Sequence, residues 1–284
     1  MEFQWYPGHM TKAIRQMRED IKIIDLVIEL IDARIPLASR NPDIDTLGQG
    51  KARIILLNKR DLSDDEVTKQ WISYFENKGY VAIAIDAREK KSARQVDEAI
   101  ERACKEKRKR DAKRGIKNRP IRAMVVGIPN IGKSTFINSY AGKAATKTGN
   151  KPGVTKGKQW IRLRKDLELL DTPGILWPKF EDQTVGLYLA SIGAIRAEVI
   201  QTDEMALEVV KLLRGLYPGR ISEKYDIDEN LEEIQVINEI AKSRNCIKPG
   251  GEIDFTKAAT LFLDDFKNGR LGKISIERPE RDDA

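Results

Sequence analysis

The stretch IRAMVVGIPNIGKST, Ile121 to Thr135, decides the fold. An apolar run leads into a glycine-rich bend, and residues compatible with a helix follow it. Inside it GIPNIGKS, Gly127 to Ser134, satisfies G-x-x-x-x-G-K-[ST] at every position. Such a loop wraps a chain of phosphates. Gly127 and Gly132 let the backbone come close, and the amides from Asn130 through Ile131 and Gly132 to Thr135 point at the anion. The positive end of the next helix adds to them. Lys133 reaches the outer phosphates, and the Ser134 hydroxyl is offered to Mg²⁺. A purely structural glycine turn would need neither the lysine nor the hydroxyl.

Working upstream, RIILLNKRD (Arg53–Asp61) is an unbroken apolar run ending in polar residues, the pattern of a central parallel strand buried on both faces. Its end, NKRD, reads a base. The Asp61 carboxylate can accept two hydrogen bonds from guanine N1 and N2. Adenine lacks that donor pair, which disfavours ATP. Lys59 can lay its stem over the base, and Asn58 can tie this loop to the phosphate loop. YVAIAIDA (Tyr80–Ala87) is a further buried strand ending in Asp86, Ala87 and Arg88, with the Ala87 amide placed to meet guanine O6. DLVIELIDA (Asp25–Ala33) reads as a strand, and Met10–Ile21 before it as a helix. DARIPLASRNP reads as a loop broken by Pro36 and Pro42. Ser63 is the expected cap of a helix to Lys78, with Glu66 at the capping-box position. A charged helix is expected over Ala93–Arg110.

Working downstream, residues 138–158 are rich in small residues and glycine. They hold Thr155 in KPGVTKG, with Thr146 and Thr148 as competitors. A threonine there hands its hydroxyl to the metal only when a γ-phosphate is present, which would make an order–disorder switch. QWIRLRKDLELLDTPG alternates as an antiparallel hairpin turning near Lys165 and Asp166. Asp171, about forty residues after the phosphate loop, is the carboxylate expected beside Mg²⁺. Gly174 offers its amide to the γ-phosphate. Beyond Pro178 the pattern turns helical, with Asp203 as one cap and helices over Leu231–Arg244 and Phe255–Lys267. The expected fold is α/β, a mostly parallel sheet with helices on both faces over residues 1–178, followed by a smaller all-helical domain over 179–284.

The 284 residues are 40% hydrophobic and 33% charged, enough to build a sizeable core, and the formal net charge is +7. A basic protein leans toward polyanions. The two cysteines, Cys104 and Cys246, lie far apart without a CxxC pair, against a zinc site or disulfide framework. The longest apolar candidate, IIDLVIELI, is interrupted by Asp25 and Glu29 and falls short of a membrane span. A cytoplasmic protein is expected, without a membrane or DNA as partner.

Taken together, NKRD, DAR, GIPNIGKS, PGVT and DTPG resemble the five motifs of a translation-factor-type GTPase. The usual order begins with the phosphate loop. Here the base-reading motifs precede it, so the chain resembles the circularly permuted GTPases. Permutation is permissible because domain termini often lie close together at the surface. WYPGHM (Trp5–Met10), DARIPLASRNP and FKNGRLGKISIERP narrow the resemblance to the ribosome biogenesis GTPase A (YlqF) group, over nearly the whole chain. Asp86 departs from the commoner pattern, which has serine before the alanine.

The resemblance implies hydrolysis of GTP to GDP with Mg²⁺ held by Ser134, Thr155 and Asp171. It also implies K⁺ beside Asn130, replacing the charge of an arginine finger. Many GTPases place a water-orienting glutamine after the DxxG glycine. Ile175 and Leu176 stand here instead, as in the hydrophobic-substituted class. His9, the chain's one histidine, is then a candidate to orient the water, although a lone histidine in a Pro-Gly loop reads equally well as a surface residue. The implied partners are a large ribosomal subunit precursor and its rRNA, bound by a monomer late in assembly and released on hydrolysis. KEKRKRDAKRGIKNR (Lys105–Arg119), with nine basic and two acidic residues, offers a phosphate-backbone contact. Lys211, Arg214, Arg220, Lys242, Arg244 and Lys248 extend it. The alternative is a nucleotide-gated RNA-binding module with incidental turnover.

Overall fold

The computed structural model describes residues 9–116, 119–142, 159–164, 166–172, 182–195 and 201–279. Its strands are β1 (Leu26–Asp32), β2 (Ala52–Asn58), β3 (Val81–Ala84), β4 (Ile121–Val126), β5 (Gln159–Arg164) and β6 (Leu167–Asp171). They form one sheet in the order β3-β2-β1-β4-β6-β5. All neighbours run parallel except β5, which returns antiparallel along β6 as the hairpin pattern requires.

Before and between the strands lie α1 (His9–Asp20), α2 (Asp43–Leu47), α3 (Asp65–Asn77), α4 (Ser92–Lys113) and α5 (Lys133–Ala141). The period of two along β1 sends Leu26, Ile28 and Leu30 to one face. There they join Val96, Ile100 and Cys104 of α4 and Phe136 and Ile137 of α5. Val27 goes to the opposite face with Met17 of α1, and Ile31 joins Trp71 and Phe75 of α3 on that side. With both faces covered, every residue of β1 is buried. Each fully buried side chain of this size contributes about 1.5–3 kcal/mol.

Glu29 is buried inside that strand. Its carboxylate accepts from Arg40 at 3.1 Å and from Arg53 at 2.8 Å, and both guanidiniums lie over the Tyr80 ring. The paired cations remove the cost that a lone buried carboxylate would carry.

The helical part comprises α6 (Gln183–Ser191), α7 (Thr202–Leu216), α8 (Arg220–Tyr225), α9 (Glu233–Ser243) and α10 (Phe255–Lys267). Val209 and Leu213, Ile237 and Ile240, and Phe262 and Phe266 pack α7, α9 and α10 together, in a core continuous with that of the sheet. Both cysteines are free and buried, Cys104 in α4 and Cys246 beyond α9.

The last described residues turn back across the sheet part. The amide of Ile274 donates to Leu62 O and that of Ile276 to Arg34 O, both at 3.0 Å. The Glu277 carboxylate accepts from the amides of Leu37 and Ala38, and its carbonyl accepts from Trp71 Nε1 at 3.0 Å. Residues 271–279 thus form a strap over the sheet part.

Several local expectations are corrected. The α3 cap is Asp64, whose carboxylate accepts from the amides of Glu66 and Val67. Ser63 bonds instead to Arg60 O and Thr68 Oγ1. Asp203 lies inside the first turn of α7, after Gln201, and accepts from Thr256. His9 belongs to the first turn of α1, so the helix begins one residue earlier than expected. DARIPLASRNP runs into the short α2, and α6 and α8 carry too little periodic signal to be anticipated.

Candidate nucleotide site

In an open α/β sheet, ligands bind beyond the carboxyl ends of the strands where the strand order reverses. Here β1, β2 and β3 run outward one way and β4, β6 and β5 the other, so the reversal lies between β1 and β4. The phosphate loop follows β4, NKRD follows β2 and the DAR of the next loop follows β3. All three meet at that edge.

The phosphate loop is built for close approach. A Cβ on Gly132 would lie 2.6 Å from Asn58 Nδ2, and its φ of +100° disfavours other residues. Lys133 opens α5 and is buried, with Nζ donating to Gly127 O and Ile128 O at 3.0 Å. Ser134 and Thr135 follow in the first turn, where the backbone amides and the helix dipole favour an anion.

Asn58 joins the three loops. Its Nδ2 donates to Ile131 O at 2.7 Å, and its Oδ1 accepts from the Ala87 amide at 2.9 Å. The Ala87 amide, expected to meet guanine O6, is therefore engaged inside the protein. The carboxamide between the loops supplies a fixed partner for it.

The tripeptide Asp-Ala-Arg occurs twice at this edge and makes the same turn each time. Arg34 Nε and Arg88 Nε each bond to the aspartate two residues back, Asp32 at 2.9 Å and Asp86 at 3.0 Å. The arginine amides donate to the same Oδ1 atoms. The two turns hold the two charged ends of NKRD. Asp32 Oδ2 pairs with Lys59 Nζ at 3.0 Å, and Arg88 Nη2 donates to Asp61 Oδ2 at 2.6 Å.

Burial separates these turns. Arg34 and Asp32 keep 2% and 0% of their side-chain exposure, whereas Arg88 keeps 65%. Burial alone would raise the Asp32 carboxyl, but the charges of Arg34 and Lys59 hold it well below the usual carboxylate range. Burial lowers Lys59, opposed by Asp32. The hydrogen bonds from Arg88 lower Asp86.

Asn130, expected beside K⁺, has a φ of +59° and donates from Nδ2 to Gly193 O at 3.0 Å. It faces the helical part, a partner that sequence spacing does not reveal. Asp171 ends β6 in register with Val125 of β4, and Thr172 Oγ1 donates to Val125 O at 2.7 Å, so the strand end lies beside the phosphate-loop strand. Thr155, Gly174, Ile175 and Leu176, with the competitors Thr146 and Thr148, lie outside the described residues. So does WYPGHM before His9.

The basic segment is partly consumed internally. Lys107 pairs with Asp111, Arg108 with Glu101 and Asp166, and Lys109 with Glu106. Lys105, Arg110, Lys113 and Arg114 are exposed. In the helical part, Lys211 and Lys242 pair with Glu208 and Glu239, and Arg214 bonds Leu231 O and Glu233. These three were expected to face a polyanion and instead serve local structure in part.

Asp32, Arg34, Gly193 and Lys267 were not singled out from sequence. The repeated DAR was the available signal for the first two.

A glycine-built phosphate loop with a following Lys-Ser, and the NKRD loop beside it at the reversal edge, are the parts of a P-loop GTPase. A family profile described as "50S ribosome-binding GTPase" matches residues 122–246. The chain is 48% identical to Ribosome biogenesis GTPase A of Bacillus cereus, covering 99% of this chain and 95% of that protein. It is 33% identical to the protein of that name from Thermotoga maritima, over 97% and 94% of the two chains. The structure of GNP-bound YlqF from T. maritima superposes with a TM-score of 0.68 at 28% identity, covering 95% of this chain and 99% of that one. The chain belongs to the ribosome biogenesis GTPase A family, and it binds guanine nucleotide and hydrolyses GTP.

Proposed function

We propose that this GTPase acts late in assembly of the large ribosomal subunit, binding rRNA in precursor particles in its GTP state and leaving on hydrolysis. The observation that carries the reading is the match along 99% of the chain to a relative named for ribosome biogenesis. Exposed Lys105, Arg110, Lys113 and Arg114 support a contact with RNA phosphates. We read the motif order as a circular permutation, the units as 1–178 and 179–284, and the protein as a cytoplasmic monomer.

In this reading Asp61 takes guanine N1 and N2, Lys59 covers the base, and Lys133 turns from its loop carbonyls to the phosphates. Ser134, Thr155 and Asp171 are hard oxygen donors of the kind that suit Mg²⁺, which neutralises charge developing on the phosphates. The Gly174 amide meets the γ-phosphate. Asn130 offers Oδ1 to K⁺ while Gly193 holds its Nδ2. His9 orients the water, because neither Ile175 nor Leu176 can.

The test compares turnover alone and with large-subunit precursors, in K⁺ and in Na⁺, beside sedimentation with a GTP analogue and with GDP. Stimulation by particles, lost in His9→Ala with particle binding kept, is the expected result. GTP-dependent binding without stimulation would replace this reading with a nucleotide-gated RNA-binding module.

A further inference from the structure

The helical part touches the nucleotide site at two places that share one residue. Arg34, paired to Asp32 and through it to Lys59, donates from Nη1 to the carbonyl of Lys267 at 3.0 Å. Lys267 is the last residue of α10. Its side chain lies across Gly193, where an added Cβ would stand 2.6 Å from both Cε and Nζ. The Gly193 carbonyl accepts from Asn130 of the phosphate loop. The Lys267 charge also bears on Lys59, adding to the cost of its ammonium.

We propose that Lys267 and Gly193 couple the base-reading loop to the phosphate loop through the helical part, so that nucleotide occupancy and the seating of α10 control each other. The connection runs from Lys59 through Asp32 and Arg34 to Lys267, and from Lys267 across Gly193 to Asn130. Arg34 is the crossing point. Its side chain holds α10, while its carbonyl accepts from the amides of Ile276 and Glu277 in the strap. Buried ion pairs tolerate only discrete arrangements, because a half-broken pair leaves an uncompensated charge. Motion at Lys59 is therefore passed on. This route is separate from the DTPG segment, and it uses residues on the base side of the site.

Linkage makes the effect reciprocal: whatever nucleotide does to the seat of α10, the seat does to nucleotide affinity. Arg34 and Gly193 are positioning residues, acting through Asp32 and Asn130. The inference rests on guanine nucleotide binding and not on the ribosomal reading, and its test contains no ribosomal material.

The experiment is amide hydrogen exchange on the full chain, without nucleotide and saturated with GDP. The probes are Gly193–Ala194 and the strap amides of Ile274 and Ile276. GDP is expected to slow exchange at these sites by about fivefold. Arg34→Lys keeps a cation beside Asp32 but cannot also span to Lys267 O. In it the slowing at Ile274 and Ile276 disappears while that in residues 127–132 remains. In Gly193→Ala, strained at φ +77° and pushing aside the end of the Lys267 side chain, GDP affinity falls about fivefold. Exchange in the unsubstituted chain that ignores GDP at Gly193–Ala194 and in the strap overturns the proposal, whatever the variants do. So does full slowing retained in Arg34→Lys.

Discussion

In the proposed reading base choice rests on Asp61, whose carboxylate accepts from Arg88 Nη2 at 2.6 Å. Asp61→Asn replaces an acceptor pair with a mixed donor and acceptor. GTP binding is expected to weaken on the order of a hundredfold, with xanthosine triphosphate gaining over GTP in competition titrations. Unchanged GTP affinity would remove Asp61 from the site. Gly132→Ala meets Asn58 Nδ2 at 2.6 Å and strains the backbone, so nucleotide affinity should drop at least about tenfold in the same titration. Lys133 was legible because it sits at fixed spacing after the loop glycines, and Asn58 because NKRD closes an unbroken apolar run. The Asp32–Arg34 pair was not, because a charged tripeptide after a strand reads as solvated loop, and only the fold shows it at 0% and 2% exposure. The Asn130–Gly193 contact joins residues 63 apart, beyond the reach of any local pattern.

At the scale of elements, capping and charge give separate predictions. Asp64 caps α3 and also accepts from Tyr217, just beyond α7. Asp64→Ala should cost about 1–2 kcal/mol in urea unfolding, whereas Ser63, which bonds no helix-end amide, should not behave as a cap. At the end of α4, if the proposed RNA contact holds, changing Lys105, Arg110, Lys113 and Arg114 together to Gln should weaken RNA binding across sequences. It should also flatten the salt dependence by about 0.7 per lost contact on single strands. Changing the internally paired Lys107 and Lys109 should do less to the slope. The strands were readable because buried apolar runs of this length are distinctive. The short α2, α6 and α8 escaped, because five to nine residues hold too few turns for a helical period to stand out. The cap on α3 was misassigned by one residue because Ser63 and Asp64 are both good caps, and the choice is made by where the chain turns.

At the scale of the molecule, the strap makes stability depend on pH. Burial pushes Glu277 up to about 7 from 4.5, and the amides of Leu37 and Ala38 only partly oppose it. Below the unfolded value both states hold the proton. Between about 4.5 and 7 the folded state binds more, so stability falls as pH rises through that window and levels off above it. The loss is up to about 3 kcal/mol, reduced by remaining solvent contact. Melting temperatures from pH 5 to 8 should fall in the unsubstituted chain and flatten in Glu277→Gln; a parallel slope in both would exclude the strap as the source. The mostly parallel sheet and the helical character of the C-terminal part were readable from the pattern, but the strand order and the return of residues 271–279 over the sheet were not, since the contacts of that return span more than two hundred residues. The two buried thiols give this architecture an internal clock. Cys104 keeps 0% exposure and Cys246 1%, one under the sheet and one among the helices. Burial raises the Cys104 thiol to about 11, so it reacts with an alkylating reagent only when its surroundings open. Labelling the two sites over time, read separately by mass, would therefore report whether the halves of the protein breathe together or in turn.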